Sequence, residues 1–265
     1  MESRIELDRW LLGRGRILLG YSGGVDSSLL AVVGAAVLGP GRLLAVIGRS
    51  ASFPDSQWQQ AREVADRFGV PVVEIDTEEL ANPNYQANSP QRCYFCKSEL
   101  WARLAKIAVS SAFDTVVDGT HADDGGDHRP GRQAAIEHGV RSPLAELGWT
   151  KAMIRAEARR MGLPIWDAPA APCLSSRIRY GLAVTAPRLR QVELAEAFLR
   201  RLGVQGDLRV RHHDDVARIE VVPAMFDLID AQWSSITSTL ADLGFSRVER
   251  DRNGYRRGSL LPVAS

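Results

Sequence analysis

The sequence predicts an α/β protein in which a doubly wound parallel sheet is followed by a smaller α+β domain. Three observations support this fold class. Short apolar runs alternate with segments of helical length, a glycine-rich loop follows the first of those runs, and apolar–polar alternation replaces the earlier pattern after Tyr180-Gly181. Alternating strands and helices of this length form a parallel sheet that helices cover on both faces.

The glycine-rich loop has the sequence Tyr21-Ser22-Gly23-Gly24-Val25-Asp26-Ser27-Ser28. The apolar run at 16–20 is short enough to be a buried strand, whereas the run at 29–33 belongs to a segment of helical length. The two glycines allow the backbone to pass close to a bound group, and the new helix directs unpaired N–H groups and its positive dipole end at that group. Such a turn suits phosphate.

The other elements of the larger domain continue the alternation. Strands are predicted at 43–47, 71–75 and 114–120, and helices at 7–12, 54–68, 92–109 and 150–161. In a doubly wound sheet, ligands bind beyond the carboxyl ends of the strands. The glycine-rich loop and the charged segment 121–131 each follow a predicted strand directly, so we expect both at that edge.

The pattern changes after residue 181, and we place the domain boundary near residue 182. The larger domain then covers 1–182, and 183–265 forms a small α+β domain for substrate binding or oligomerisation. In this domain we predict helices at 186–202 and 223–243, strands at 208–212 and 217–222, and edge strands at 245–249 and 255–260. Such elements pack in two layers.

The composition is that of an ordinary globular protein. The chain has 265 residues, of which 45% are hydrophobic and 25% are charged, and its formal net charge is only +1. A charge this small gives no reason to expect a nucleic-acid ligand. The polar N-terminus lacks the apolar core of a signal peptide, and no apolar run has membrane-spanning length, so we expect a cytoplasmic protein.

The loop differs from two common phosphate-binding patterns. It lacks the Gly-Lys-Ser/Thr ending of a Walker A loop and the three spaced glycines of a dinucleotide fingerprint. Ser22-Gly23-Gly24-Val25-Asp26-Ser27 resembles the pyrophosphatase loop (PP-loop) of the N-type ATP pyrophosphatases, which cleave ATP between its α- and β-phosphates and adenylate a substrate. The alternative is a glycine turn without a ligand.

The three cysteines allow several interpretations. Cys93 and Cys96 form a C-x-x-C at the start of a predicted helix, and Cys173 lies about eighty residues later in a proline-rich loop. A redox pair would leave Cys173 unused, and a structural zinc site would need a fourth ligand. Separate buried cysteines and an iron–sulfur cluster with three thiolate ligands are the other two readings. The spacing does not choose among them.

Taken together, the motifs resemble those of the LarE-type sulfurtransferases, and the resemblance covers nearly the whole chain. The matching segments are Ser22–Ser27, Asp118–Asp124, Asp127–Gly131, Arg141–Leu144, Pro172–Arg177, Arg209–His213 and Arg218–Val221. The resemblance implies a PP-loop fold and a role in making the nickel-pincer nucleotide cofactor. ATP would adenylate a carboxylate of pyridinium-3,5-biscarboxylic acid mononucleotide, and sulfur would then displace AMP.

Members of this family differ in their source of sulfur. Some carry a single cysteine at the position of Cys173 and sacrifice its sulfur, which leaves dehydroalanine. Others carry three cysteines that hold a four-iron four-sulfur cluster. Because Cys93 and Cys96 are both present, the resemblance favours a cluster held by Cys93, Cys96 and Cys173 as the catalytic group, with sacrifice of Cys173 alone as the alternative.

The resemblance also implies roles for individual residues. The candidates for binding ATP are Gly20, Ser22, Gly23, Gly24, Asp26, Ser27, Ile47, Lys97, Gly119 and Arg129. Mg²⁺ is expected because it neutralises the triphosphate. The candidate ligands for a divalent ion are Asp26, Asp124 and Glu220. For Lys97 and Arg129, a solvated charge is the alternative, and Asp123, Asp124 and Asp127 would otherwise order their loop.

The candidates for binding the substrate lie in or near the second domain. Arg209 and Arg211 alternate on one predicted strand, so both side chains leave the same face. Two guanidinium groups there suit the phosphate or carboxylates of the nucleotide. Ser176 and Arg177 follow Cys173 and would hold the substrate near it, and Arg256 would join them.

Three other functions are considered. A tRNA-thiolating enzyme shares the loop and the cysteines but would be expected to carry an RNA-binding module. An NAD or GMP synthetase shares the loop but does not need three cysteines, and the third alternative is a non-catalytic ATP-sensing module. The resemblance further implies a homo-oligomer and allows for a sulfide donor, and the charge and the lack of a long apolar run predict no nucleic acid and no membrane as partners.

Overall fold

The computed structural model describes residues 2–126, 130–170 and 172–256. The chain divides into two compact units, one formed by Met1–Glu79 with Cys93–Ala171 and the other by Leu80–Arg92 with Pro172–Ser265. The sequence placed a single boundary near residue 182. The second unit instead starts at Pro172 and takes in a segment from the middle of the chain.

Asn88 explains why that middle segment belongs to the second unit. Its side-chain amide is completely buried and donates to the carbonyl oxygens of Arg179 and Leu182, both at 2.9 Å. The backbone N–H of Val184 also donates to the carbonyl of Gln86 at 2.9 Å. The polar composition of 77–91 predicted a surface loop, and these long-range contacts are not visible in it.

The first unit contains a parallel sheet with strand order β3-β2-β1-β4. Its strands are β1 (Ile17–Gly20), β2 (Leu43–Arg49), β3 (Val72–Asp76) and β4 (Thr115–Val117). The helices of the described chain are α1 (Glu2–Leu12), α2 (Val25–Leu38), α3 (Asp55–Phe68), α4 (Pro83–Gln86), α5 (Arg92–Ser110), α6 (Pro130–Glu137), α7 (Pro143–Glu146), α8 (Lys151–Arg160), α9 (Ala186–Arg201), α10 (Phe226–Ala231) and α11 (Trp233–Asp242).

Helices cover both faces of this sheet, as the sequence predicts. Ile17 and Leu19 face a hydrophobic cluster with residues of α1, α2, α3 and α8. Leu18, between them, faces a second cluster with Trp101 and Leu104 of α5 and residues of α6. Successive side chains of a strand point to opposite faces, so a strand buried on both sides is a continuous apolar run.

The strand order reverses between β1 and β4. The chain adds β2 and β3 on one side of β1 and then crosses to place β4 on the other side. The loops that leave β1 and β4 therefore lie next to each other at the carboxyl edge of the sheet, which is where open α/β sheets bind ligands. The glycine-rich loop is one of these two loops.

The second unit is an α+β structure with its own core. Its sheet has the order β5-β6-β7, in which β5 (Leu208–His213) and β6 (Val216–Val221) are antiparallel and β7 (Arg247–Arg250) is parallel to β6. The predicted helix at 223–243 is wrong in one respect, because α10 and α11 meet at Gln232. Tyr255 and Arg256 are not in a strand, and 257–260 lie outside the described residues.

Within residues 2–126, 130–170 and 172–256, no helix combines the length and the apolar character needed to cross a bilayer.

Candidate functional site

The glycine-rich loop lies directly on helix α3. Gly23 has a φ of +71°, and a Cβ atom at this position would lie 2.6 Å from the Cβ of Ala61. The amides of Gln57 and Gln60 donate to the carbonyl oxygens of Ser22 and Gly23 at 2.6 and 2.9 Å. Because α3 binds these two carbonyls, it holds this part of the loop in place. The sequence alone did not identify the two glutamines.

Helix α2 begins at the end of this loop without a side-chain cap, since its N-cap residue is Gly24. Ser27, in the first turn, donates from its hydroxyl to the carbonyl of Gly24 at 3.2 Å and accepts from the N–H of Ser22 at 3.3 Å. The hydroxyls of Ser22 and Ser27 are 3.1 Å apart. The first N–H groups of a helix have no partner within it, and they bind anions.

Gly119 brings the segment after β4 against this helix start. A Cβ atom on Gly119 would lie 2.8 Å from the backbone nitrogen of Ser27 and 3.0 Å from its Cα, so only glycine fits. Asp118 fixes the same segment by accepting from the hydroxyls of Thr120 and Ser142 at 2.8 and 2.7 Å. The structure thus brings two of the predicted motifs together.

Lys151 is a residue of this site that sequence reasoning missed. Its ammonium lies 2.7 Å from both carboxylate oxygens of Asp26, and its backbone N–H donates to Asp123 Oδ2 at 2.7 Å. One signal was present in the sequence. A lysine directly after the N-cap Thr150 places a positive charge at the positive end of a helix dipole, which is unfavourable without a nearby anion.

The acidic segment after β4 is ordered by contacts within itself. Asp124 Oδ2 accepts from the backbone N–H of His121 at 3.2 Å and lies 3.6 Å from its Nε2. Within the described ranges, no three His, Cys, Asp or Glu side chains gather closely enough to hold a metal ion. Asp124 therefore contacts the start of its own loop, and its role in binding a divalent ion stays a prediction, while Asp127 and Arg129 lie outside the described residues.

Three other candidates for ATP binding have clear structural environments. A Cβ atom on Gly20 would lie 2.6 Å from the Trp101 ring, so the packing of α5 on β1 already accounts for this glycine. The side chain of Ile47 is fully buried, which leaves only its backbone for a ligand. Lys97 is half-buried on α5, with its ammonium 5.3 Å from the Trp101 ring centroid. Their roles in binding ATP stay predictions.

Cys93 and Cys96 lie in the first turns of α5, in the first unit. Cys93 is exposed and Cys96 is half-buried, and their spacing of three residues places both on one side of the helix. The start of α6 approaches them, because a Cβ atom on Gly131 would lie 3.1 Å from Lys97 Cγ and 3.8 Å from Cys93 Cβ. Neither thiol is in a hydrophobic core.

Cys173 belongs to the second unit, where it precedes a short 3₁₀ helix, Leu174–Arg177. It is half-buried, and its Sγ lies 2.9 Å from the hydroxyl of Ser175. This thiol is therefore held by a hydrogen bond at the surface of its unit.

Arg177 is buried beside Cys173 and makes a bidentate ion pair. Its Nε and Nη2 atoms lie 2.9 and 3.0 Å from the two carboxylate oxygens of Glu196 on α9. Its Nη1 atom donates to the carbonyls of Pro172 and Cys173 at 2.5 and 3.1 Å and to the hydroxyl of Ser176 at 3.1 Å. The sequence did not identify Glu196.

Arg211 on β5 is buried against Glu220 on β6. Its Nε and Nη2 atoms each lie 2.8 Å from Glu220 Oε2, and its Nη1 donates to the carbonyl of Ser176 at 3.1 Å. Glu220, a candidate ligand for a divalent ion, is thus the ion-pair partner of Arg211 in the structure, and its role in binding a metal stays a prediction.

Arg209, two residues earlier on β5, is also buried. Its Nη1 donates to the carbonyl of Leu208 at 2.6 Å, and its guanidinium lies 5.0 Å from the Tyr255 ring centroid. Burial and then the positive charge of Arg177 lower the pKa of Arg209. Arg256 is exposed at the end of the described chain.

Comparison with known proteins gives a family match in the N-terminal half of the chain and several relatives along its whole length. A family described as NAD synthase matches residues 12–123, which include the glycine-rich loop and the segment after β4. The chain is also 34% identical over 245 residues to a pyridinium-3,5-bisthiocarboxylic acid mononucleotide synthase of Lactiplantibacillus plantarum. That alignment covers 92% of this chain and 88% of the relative.

Two uncharacterised proteins are similar over nearly their full lengths. One, from Synechocystis, is 43% identical over 266 residues, which is 99% of this chain and 98% of the relative. The other, from Methanocaldococcus jannaschii, is 28% identical over 241 residues, which is 91% of each chain. The second unit therefore has counterparts in these relatives as well as the first.

Proposed function

Because this chain belongs to the LarE-type sulfurtransferases, enzymes with an α/β PP-loop fold, we propose that it uses ATP to replace carboxylate oxygen with sulfur on pyridinium-3,5-biscarboxylic acid mononucleotide. The product would be the bisthiocarboxylic acid mononucleotide that gives the Lactiplantibacillus relative its name. The pathway is the synthesis of the nickel-pincer nucleotide cofactor, which the resemblance in sequence implies.

The observation that carries this proposal is the shape of the loop from Ser22 to Ser27. Two glutamines of α3 bind its carbonyls, Gly23 fits only without a side chain, and α2 begins with unpaired N–H groups. A triphosphate binds there through backbone N–H groups and the hydroxyls of Ser22 and Ser27. Mg²⁺ would neutralise the remaining phosphate charge, with Asp26 and Asp124 as the candidate carboxylates of the first unit.

The first chemical step forms an acyl adenylate. A carboxylate oxygen of the substrate attacks the α-phosphorus of ATP, the bond from that phosphorus to the bridging oxygen breaks, and pyrophosphate leaves. Lys151 supplies a positive charge beside the loop, because Asp26 holds its ammonium there. Such a charge stabilises the pyrophosphate as it leaves. The mixed anhydride makes the carboxylate carbon a good electrophile.

The second step brings in sulfur, which attacks that carbon and displaces AMP. Thiolates are the usual ligands of iron–sulfur clusters, and the three thiols fit this role because none is buried in a core. Cys93, Cys96 and Cys173 would hold a four-iron four-sulfur cluster, which would supply sulfide to the reaction. A separate sulfide donor would then restore the sulfur.

Sacrifice of Cys173 is the alternative source of sulfur. Its Sγ would attack the activated carbon to give a thioester as AMP leaves. Loss of the proton on Cα and cleavage of the Cβ–Sγ bond would then release the thiocarboxylate and leave dehydroalanine. The hydrogen bond between Sγ and the hydroxyl of Ser175 already holds the thiol in place, which suits either source.

The substrate carries a phosphate and two carboxylates, so we propose that it binds at the arginines of the second unit. Arg177, Arg209 and Arg211 are buried there, Glu196 and Glu220 pair with Arg177 and Arg211, and Asp207 Oδ1 lies 3.9 Å from Arg209 Nη2. Arg209, Ser176 and the exposed Arg256 are the candidates for direct contact. Homo-oligomerisation through this unit remains part of the proposal.

A tRNA-thiolating enzyme is the second candidate function, since it shares the adenylation chemistry. The net charge of +1 favours a small substrate. Salt-sensitive retention of tRNA by the purified protein would support the rival instead.

The experiment is an anaerobic incubation with the biscarboxylated nucleotide, ATP, Mg²⁺ and sulfide, followed by mass spectrometry of the nucleotide and the protein. We expect thiocarboxylate, AMP and pyrophosphate. Iron analysis of the anaerobically purified protein then separates the two sulfur sources. A protein without iron whose Cys173 becomes dehydroalanine would exclude the cluster, and absence of pyrophosphate release would contradict the proposed function.

A matched pair of variants sharpens the choice between these sources. Cys173→Ser removes sulfur transfer in both mechanisms. The double variant Cys93→Ser/Cys96→Ser distinguishes them, because it loses iron and turnover if the cluster operates but keeps a single turnover if Cys173 is sacrificed.

A further inference from the structure

We infer that Arg177, held in place by Glu196, is a positioning residue that fixes the backbone on both sides of Cys173. This inference rests on the proposed function in one respect, namely that Cys173 takes part in sulfur transfer. It changes the role of Arg177, which the sequence assigned to direct contact with the substrate.

The hydrogen bonds of Arg177 are already taken by the protein. Only 5% of its side chain is exposed, and Glu196 binds its Nε and Nη2 atoms. The remaining nitrogen, Nη1, donates to the carbonyls of Pro172 and Cys173 and to the hydroxyl of Ser176. A substrate anion would have to displace these contacts, so the guanidinium serves the cysteine segment.

Glu196 connects this arginine to rigid elements of the second unit. It lies on the sixteen-residue helix α9, and its Oε1 also accepts from the backbone N–H of Val210 at 3.0 Å. Val210 belongs to β5, an edge strand of the three-stranded sheet. A single carboxylate therefore ties the helix, the edge strand and Arg177 together, and sites supported by such elements are more precise than sites on loops.

Two more buried arginines hold the next carbonyls of the same segment. Arg92 Nη1 donates to the carbonyl of Ser175 at 2.9 Å, and Arg211 Nη1 donates to the carbonyl of Ser176 at 3.1 Å. Around Cys173, guanidinium groups therefore bind the carbonyls at 172, 173, 175 and 176. These hydrogen bonds determine where Cys173 Sγ lies, since they fix the backbone on each side of the cysteine.

Placement is the main benefit of such an arrangement. A buried ion pair contributes little net stability over apolar residues of similar volume, because both charges lose their hydration. A displacement of about 1 Å at a reacting atom, in contrast, reduces a rate by about 100-fold. The pair of Arg177 and Glu196 therefore acts on the sulfur-transfer step, whereas adenylation takes place at the loop of the first unit.

The test measures thiocarboxylate formed per pyrophosphate released in Arg177→Lys and Glu196→Gln. Lysine keeps the charge but cannot bind Glu196 with two nitrogens while it reaches the Cys173 carbonyl. We expect this ratio to fall by about 10-fold or more in both variants. A general loss of folded protein would lower both products equally and leave the ratio unchanged.

Hydrogen exchange of the peptide 172–178 provides a second readout that needs no substrate. The amides of Ser176 and Ile178 donate to the carbonyls of Cys173 and Ser175 at 3.0 and 3.1 Å, so both are protected while the segment is held. We expect faster exchange at these amides in the two variants and unchanged exchange in α2.

Arg190→Lys and Glu193→Gln are the matched controls. Arg190 and Glu193 form an ion pair on α9, the helix that carries Glu196, and Arg190 is largely exposed. An unchanged product ratio in Arg177→Lys and Glu196→Gln would overturn the inference, as would unchanged exchange at 172–178. If the unmodified enzyme forms no thiocarboxylate, the proposed function fails, and the exchange measurement alone decides whether Arg177 positions the segment.

Discussion

The ammonium of Lys151 lies 2.7 Å from both carboxylate oxygens of Asp26, which joins the start of α8 to the first turn of α2. Asp123 completes the link by accepting from the backbone N–H of Lys151. The contact offsets the unfavourable position of a lysine at a helix N-terminus. It also places a cation beside the loop that we propose to bind triphosphate.

We therefore predict that Lys151→Met lowers kcat/KM for pyrophosphate release by about 10- to 100-fold. A charged hydrogen bond of this kind contributes about 1.5–3 kcal/mol, which corresponds to that range. Lys151→Arg should retain part of the activity because the positive charge remains. The measurement is steady-state release of pyrophosphate at several ATP concentrations.

Lys106→Met is the control for loss of one lysine, since Lys106 is exposed on α5. It should leave kcat/KM unchanged. Equal activity of Lys151→Met and the unmodified enzyme would show that Lys151 only balances the negative charge of Asp26 and takes no part in pyrophosphate release.

The larger fold could be predicted because its signals are local. Apolar runs of strand length alternate with helical segments, and the glycine-rich loop lies where the first strand ends, so the parallel sheet and its ligand-binding edge follow from the sequence. The contact of Lys151 with Asp26 spans 125 positions in the chain. No local pattern indicates such a pair, and an alternation of elements does not specify which side chains meet.

The cysteine segment shows the same limit within the second unit. Its motif could be recognised from 172–177, but the supports of that motif come from distant parts of the chain. Arg92 lies 83 positions from Ser175, and Glu196 lies 19 positions from Arg177. The sequence therefore indicated candidate residues for the chemistry and did not indicate which residues hold them in place.

Gly23 and Gly24 provide a test of the loop in which two adjacent glycines should behave differently. Gly23→Ala should destabilise the protein by about 2 kcal/mol or more, because its φ of +71° is unfavourable for alanine and its Cβ would contact Ala61 at 2.6 Å. Gly24 has an ordinary φ of −73°, and a Cβ atom added there would have Ser22 Oγ as its nearest neighbour, at 3.7 Å. Gly24→Ala should cost no more than about 1 kcal/mol.

The same two variants separate folding from ligand binding. The methyl group of Gly24→Ala would stand in open space beside the Ser22 hydroxyl, where we propose that a phosphate binds, so KM for ATP should rise by about 10-fold. Urea unfolding and pyrophosphate release measure the two effects. Equal stability of the two variants would contradict the observed loop geometry, and an unchanged KM in Gly24→Ala would place the phosphate elsewhere.

The burial of His212 leads to a prediction of how the stability of the second unit depends on pH. It is 2% exposed, and its Nε2 lies 2.9 Å from Gln191 Oε1. Burial, followed by the charge of Arg188, lowers its pKa from the ordinary value of 6.5 to about 4. The unfolded chain therefore binds a proton that the folded protein excludes, so the stability present above pH 6.5 is lost as the pH falls towards 4.

For this histidine alone, the loss between about pH 7.5 and about pH 5 is up to about 2 kcal/mol. His212→Gln removes the titrating group, so urea unfolding should show a weaker dependence on pH over this interval than in the unmodified protein. His138→Gln, in the first unit, controls for the loss of an imidazole and should retain the full dependence. If His212→Gln retains the full pH dependence as well, burial does not keep His212 neutral in the folded protein. The loss of stability in acid then has another source.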